Sequence, residues 1–213
     1  MICSAPRAGS HMLLRLLKAC GVGVPFEYFQ PHFASLLVDR YGTVTLEEYV
    51  TCLIRRRSRN NVFAAKLEWA WMSGLADVHH LLFSPSCLWV MIIRESLLDQ
   101  SVSLYCSQLT GTFGPGEPPP PIDAPSQAGL LAAIEHVANE ETLFRRFFAR
   151  NGIEPLLVTY EGLLEEPEAV VRSIATTLKV AICDQALRAA MAAERRYSKP
   201  SGLLEQIRGL LPV

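Results

Sequence analysis

No apolar run in this chain approaches the roughly 20 residues that a membrane-spanning helix requires. The N-terminus has no basic stretch followed by an apolar one, the pattern of a secretory signal. Excess charge is missing too. A formal net charge of −1 gives no general attraction to nucleic acid or acidic membranes, so any anion binding has to come from local clusters. The cysteines, Cys3, Cys20, Cys52, Cys87, Cys106 and Cys183, form no CxxC pair and no His–Cys ligand spacing, so they read as small buried hydrophobes in a reducing compartment rather than as a zinc or redox site. No internal repeat is visible. The expectation is a cytoplasmic protein without a membrane span or a nucleic-acid partner.

Apolar material is plentiful. With 213 residues, half of them hydrophobic, the chain can bury a substantial core, and a single domain over 1–213 is expected. It begins almost at its first motif, leaving a very short first strand, which an upstream start or a trimmed end would account for. The one strong basic cluster, Arg55, Arg56, Arg57 and Arg59, reads first as a solvated helix end, with an anionic partner as the alternative. His79-His80 has no matching ligands elsewhere and reads as a helix-end feature.

Short apolar runs alternate with amphipathic segments. Met1 to Cys3 looks like a strand end, Val62 to Lys66 a short buried strand, CLWVMII (87–93) the clearest buried strand, and PLLVTY (155–160) another. Helices are expected over 11–20, over most of 32–57 with a break near Tyr41-Gly42, after Arg94, over about 128–150, from Pro167, from Asp184, and at the C-terminus. In the helix after Arg94 the apolar stripe is Leu98, Val102, Tyr105 and Leu109, with Gln100, Ser103 and Ser107 on a polar face. GTFGPGEPPPPIDAPS, residues 111–126, is a Pro-rich loop, either a lid or a tolerated insertion. Alternating strands and helices predict an α/β fold, a parallel sheet with helices on both faces, and such sheets bind ligands beyond the carboxyl ends of their strands.

SAPRAGSH (4–11) lies at one such end. Its small residues permit a sharp turn, and the first amides of the following helix lack intrahelical acceptors and can donate to an anion, with Arg7 adding a full charge. Alone it is as consistent with a structural turn as with a phosphate site. It lacks the Gly-Lys-Ser/Thr ending of a Walker A loop, so the usual magnesium arrangement is absent. IIRESLLDQSVSLY strengthens the phosphate reading: Arg94 ends a buried strand and Ser103 follows nine residues on, placing a guanidinium and a hydroxyl at the same sheet edge.

The pairing of S-x-x-R-x-G-S-x-x-L-L with a strand ending in Arg and continuing into Q-S-V-S-L resembles the sulfotransferases, specifically the bacterial Stf0 type. GVPFEYFQP, AAKLEW and EPLLVTYEGLL resemble further segments of that group in the same order. The resemblance implies a P-loop-like, three-layer α/β/α sulfotransferase fold that uses 3′-phosphoadenosine 5′-phosphosulfate (PAPS) as co-substrate without a metal. It implies that Arg7, Ala8, Gly9, Ser10 and His11 hold the 5′-phosphosulfate and that Arg94 and Ser103 hold the 3′-phosphate. Glu27 is then the general base toward a hydroxyl of a carbohydrate or other small-molecule acceptor. Lys66 and His11 are candidates for contacting the transferring group, and Arg195, within Arg195 to Lys199, for a further phosphate contact. A homodimer is expected by analogy.

Each candidate also has a plainer role. Glu27 could be a solvated loop carboxylate or a partner of Arg7, Lys66 a surface charge, His11 a capping or solvent-facing ring, and Trp69 and Trp71 core rather than sugar-stacking surfaces. His11 stands where the group has Ser or Thr, the chain is shorter than the trehalose enzyme for which the group is named, and the acceptor is open. The competing readings are a small P-loop kinase, which would need a Lys-Ser/Thr pair and a metal-binding carboxylate, and a non-catalytic nucleotide-binding protein of the same fold.

Overall fold

Four short strands, Ile2–Ser4 (β1), Lys66–Leu67 (β2), Val90–Ile93 (β3) and Leu156–Thr159 (β4), pair in parallel in the order β2-β1-β3-β4. The computed structural model describes residues 1–111, 125–194 and 202–210. Most of the expected Pro-rich loop (112–124) and the basic stretch from Arg195 to Lys199 lie outside the described residues. After β1 the chain pairs β2 on one side of it, then crosses to place β3 on the other. The carboxyl ends of β1 and β3 therefore flank a topological switch point, where loops diverge to opposite faces and leave a crevice.

The helices, in chain order, are Ser10–Ala19 (α1), Pro31–Tyr41 (α2), Leu46–Arg57 (α3), Trp69–Met72 (α4), His79–Leu82 (α5), Leu97–Thr110 (α6), Gln127–Arg150 (α7), Tyr160–Glu165 (α8), Pro167–Thr177 (α9), Asp184–Glu194 (α10) and Gly202–Arg208 (α11). Local chemistry sets many of their ends. Gln30 accepts from Phe33 N to start α2 behind Pro31, and Gly42, at φ 64°, ends it. Thr45 and Glu48 form a capping box on α3, whose last turn holds Arg55, Arg56 and Arg57 where the helix dipole favours cations.

Alternation along the strands divides the core. Ile2, Val90, Ile92 and Val158 face α1, α9 and α10, meeting Leu13, Leu16, Leu17, Val171, Ile174 and Leu187. Cys3, Leu67 and Met91 face the other way, against Tyr49 and Leu53 of α3 and Phe144 and Phe148 of α7. A parallel sheet buried on both faces is the α/β arrangement expected from the sequence.

Three local expectations change. The strand expected over Val62 to Lys66 shrinks to Lys66–Leu67, because Asn60 and Asn61 adopt left-handed φ of 52° and 60° in a turn closed by 3.0 Å bonds between Arg59 and Val62. Residues 69–82 are helical, with a 3-10 turn at Ser73–Val78, and the strand expected over 155–160 ends at Thr159, with Tyr160 opening the helix Tyr160–Glu165. In α6 the expected apolar stripe is buried at Val102 and Tyr105 but not at Leu98, and the expected polar face is buried as well. Leu97 and Leu98 are 39% and 36% exposed, whereas Gln100, Ser101, Ser103 and Ser107 are buried. Gln100 donates through Nε2 to Pro6 O at 2.8 Å and Ser103 Oγ accepts from Arg7 Nε at 3.1 Å, so polar groups are needed against the loop after β1.

Gly9, the N-cap of α1, has φ 85°, and a Cβ there would fall inside van der Waals contact with the Tyr160 ring. Gly9→Ala is expected to lose about 1–3 kcal/mol of stability through backbone strain plus overlap. Chemical denaturation of Gly9→Ala and of Gly9→Ala/Tyr160→Ala separates the two causes, since the double variant regains only the overlap.

Candidate functional site

The loop between β1 and α1 has the geometry of an anion cradle. Arg7 and Gly9 both take left-handed backbone, φ 65° and 85°, around a fully buried Ala8. Such alternation turns successive amides toward one point. Gly9 provides no side-chain cap and the first turn of α1 carries no acidic residue, which leaves the positive end of the helix without a local counter-charge. Ser10 is 3% exposed at the first turn, and Ser4 Oγ, at the end of β1, is buried with no hydrogen-bond partner among the described residues.

Across the switch point, Arg94 follows β3. Its guanidinium lies 4.8 Å above the Tyr160 ring, the same ring that packs on Gly9, and its Nε is buried and finds no hydrogen-bond partner among the described residues. Asp99 Oδ2 and Glu161 Oε1 approach it only at 3.8 and 3.9 Å, and Asp99 is engaged more closely by Arg208 at 2.6 Å. Burial, together with the nearby Arg94 charge, lowers the Arg7 pKa. Two guanidinia thus repel one another at one sheet edge, a placement that a bound anion relieves. Ser103 joins them through its bond to Arg7.

The carboxylate cluster adjoins this loop through His11. Glu27 is 8% exposed, and its Oε1 receives both the Lys66 ammonium at 2.7 Å and the His11 Nε2 contact at 3.1 Å. Lys66 also meets Glu68, and its ammonium lies 4.9 Å from the Trp71 ring centre. Burial opposes ionisation of Glu27, but the hydrogen bond from His11 and the charge and bond of Lys66 prevail, lowering its pKa to about 2. The plainer roles weighed for Glu27 and Lys66 fail here, while one of those weighed for His11 holds. Glu27 is neither solvated nor paired with Arg7, and Lys66, 1% exposed, is a buried cation between two carboxylates rather than a surface charge. His11 does face solvent, with a side chain 54% exposed, yet it is tied to Glu27 rather than capping α1.

A depressed carboxylate pKa stabilises the fold above the ordinary value of 4.5, and this contribution is lost as pH falls toward about 2. Urea midpoints measured across that window are expected to fall more steeply with acid in the native protein than in Glu27→Gln. Parallel profiles would show that the carboxylate is not held ionised by these partners.

The structure thus brings Arg7, Ala8, Gly9, Ser10, His11, Glu27, Lys66, Arg94 and Ser103 to one edge of the sheet, with Arg195 outside the described residues. Sequence reasoning missed Tyr160, which links Gly9 to Arg94, and Gln100, which holds Pro6. Tyr160 closes a strand-like run, so its place at a sheet edge was readable, whereas its partners depend on which strands are adjacent. Trp69 is core, packed edge-on against Phe144 at 5.5 Å, while Trp71 lies beside Lys66. Among the described residues no group of three or more His, Cys, Asp or Glu could hold a metal ion, and no helix is long and apolar enough to cross a membrane.

Comparison with curated proteins found no match. The Stf0 sulphotransferase family profile, by contrast, matches residues 1–199 of the 213. The matched region runs through all four strands and includes the loop after β1, Arg94 and the buried Glu27–Lys66 pair. The family's description is that of a transferase, and the chain belongs to the Stf0 sulphotransferase family.

Proposed function

We propose that the protein transfers a sulfuryl group from PAPS to a hydroxyl of a small-molecule acceptor, with carbohydrates among the candidates. The observation that carries this reading is the joining of an anion cradle to a buried, ionised carboxylate: His11, in the first turn of the helix that the cradle opens, bonds Glu27 at 3.1 Å. The residues fit the donor at both ends. Arg7 and the amides around Gly9 suit the phosphosulfate, and Arg94, with its buried and unbonded Nε, suits the 3′-phosphate together with Ser103. When bound, the donor supplies a sulfuryl group activated as a mixed anhydride with phosphate.

Glu27 takes both of its donors on Oε1, which leaves Oε2 to receive the proton of an acceptor hydroxyl. Lys66 and His11 keep that carboxylate oriented, and their positive hydrogen-bonding edges favour the negative charge dispersed over a transferring sulfuryl group. Arg7, held by Ser103, and the helix amides stabilise charge that develops on the leaving phosphate.

Calorimetry with adenosine 3′,5′-bisphosphate tests the donor reading. Binding that is unchanged by magnesium or by chelator is expected, followed by label transfer from sulfur-labelled PAPS to at least one member of a panel of alcohols and sugars. ATP binding that requires magnesium, without affinity for the bisphosphate, would replace this reading with a phosphoryl-transfer one.

A further inference from the structure

A cleft of about 370 Å³ opens on the outer flank of the sheet, between the last turn of α1, the segment that carries Glu27, α2 and the end of α3. Its walls are apolar. Phe26 and Phe33 pack with ring centres 4.8 Å apart, and Leu36 stands beside them on α2. Phe26 is 37% and Leu36 53% exposed, and no residue of α2 is fully buried, although its Leu37 and Val38 pack against the core. An amphipathic helix normally buries its apolar stripe.

The polar lining has one sign. Lys18, Arg40 and Arg57 stand around the apolar wall, and among the described residues no Asp or Glu lines the cleft. Among the described residues none of the three forms an ion pair. Arg57 donates to the neutral Tyr41 hydroxyl at 3.0 Å and lies 5.9 Å from the Tyr28 ring centre. Three cations without carboxylates, in a chain of net charge −1, make a local field that an anion would satisfy. Arg55, Arg56 and Arg59, close by in sequence, extend it.

We propose that this cleft binds an amphipathic organic anion, an aliphatic or aromatic body ending in a single carboxylate, sulfonate or sulfate. The apolar body would lie against Phe26, Phe33 and Leu36 and the charged end among Lys18, Arg40 and Arg57. The volume falls within the roughly 300–1,000 Å³ of small-molecule sites. A second copy of the chain is a poorer occupant, because a two-fold contact over this patch would bring the three cations against their own equivalents. The cleft uses none of the residues assigned to the donor, so the inference stands apart from the proposed transfer reaction. Its floor does include Phe26 and Tyr28, the neighbours of Glu27, so an occupant would fix the segment that holds the carboxylate.

The probe is 8-anilinonaphthalene-1-sulfonate, followed by fluorescence with the full chain. One-to-one binding with Kd on the order of 10 µM is expected. Octanoate is expected to displace it, whereas octan-1-ol, inorganic sulfate and adenosine 3′,5′-bisphosphate at equal concentration are not. The variants Lys18→Gln/Arg40→Gln and Leu36→Gln change exposed positions only, so their melting temperatures should hold while Kd rises by about tenfold. Displacement by the bisphosphate would place the probe in the donor site. Equal displacement by octan-1-ol would remove the role of the anion. Unchanged affinity in both variants would remove the cleft itself, and a dimer seen by light scattering that the probe dissociates would give the cleft to a second copy; each result overturns the proposal.

Discussion

Glu27→Gln is expected to lower the turnover of sulfuryl transfer by on the order of 10²–10⁴-fold, the usual contribution of a positioned base, while affinity for adenosine 3′,5′-bisphosphate changes by no more than about twofold. The amide retains an oxygen for Lys66 and His11 but cannot take a proton from a hydroxyl. With its pKa near 2, Glu27 is fully ionised in any practical assay, so it is always in the proton-accepting form. It is for the same reason a weak base toward a free alcohol. The reaction resolves this conflict if proton transfer is late, because an alcohol becomes strongly acidic only as its oxygen bonds to sulfur. The native pH–rate profile is accordingly expected to show no acidic limb from Glu27 between about pH 5 and 8. Folding is protected in this variant, since the buried Lys66 keeps Glu68 as a counter-charge. Lys66→Met is a different case. It leaves Glu27 and Glu68 facing each other without the cation and should cost far more stability than Glu27→Gln. An undiminished turnover in a folded Glu27→Gln protein would remove Glu27 as the base.

The elements that set the site were legible in the sequence where one local signal fixed them. β3 was a continuous apolar run, α7 a long amphipathic period ended by Asn151 and Gly152, and the α2–α3 break lay at Gly42. Legibility failed where tertiary contacts outweighed local pattern. Lys66 is the clearest instance, because a lysine at a strand end is ordinarily solvated, and its burial depends on two carboxylates, one of them 39 residues away. In α6 the apolar stripe drawn from periodicity holds at Val102, Tyr105 and Leu109, but the polar face is buried as well, because the helix also packs over loop backbone that needs donors and acceptors, and Gln100, Ser103 and Arg7 meet that need. At Val62 to Lys66 an apolar run read as a strand enters a strand only at Lys66, because the chain just before it turns through Asn60 and Asn61 in left-handed backbone. The cleft on α2 was visible in the sequence only as its basic flank at Arg55 to Arg59. Which apolar side chains stand uncovered beside that flank depends on how α2 meets α1, and no periodicity reports it.

Arg94→Ala is expected to weaken adenosine 3′,5′-bisphosphate binding by about 10- to 100-fold, the range for losing charge-assisted bonds from a largely buried guanidinium. Its side chain is only 15% exposed, so water does not compensate well for the loss. Arg94 also rests on Tyr160, and a general disturbance of the cradle could mimic the loss of one phosphate contact. The comparison that separates the two is between nucleotides. If Arg94 holds the 3′-phosphate, the preference for adenosine 3′,5′-bisphosphate over adenosine 5′-monophosphate collapses in Arg94→Ala, while the monophosphate binds nearly as before. Arg7→Ala should do the opposite, weakening both nucleotides alike and leaving the preference intact, because Arg7 belongs to the loop that takes the 5′ end. Arg94→Lys restores charge without the planar fork and should recover only part of the preference. Equal weakening of both nucleotides in Arg94→Ala would reassign this arginine to supporting the cradle through Tyr160. The 3′-phosphate would then need another cation.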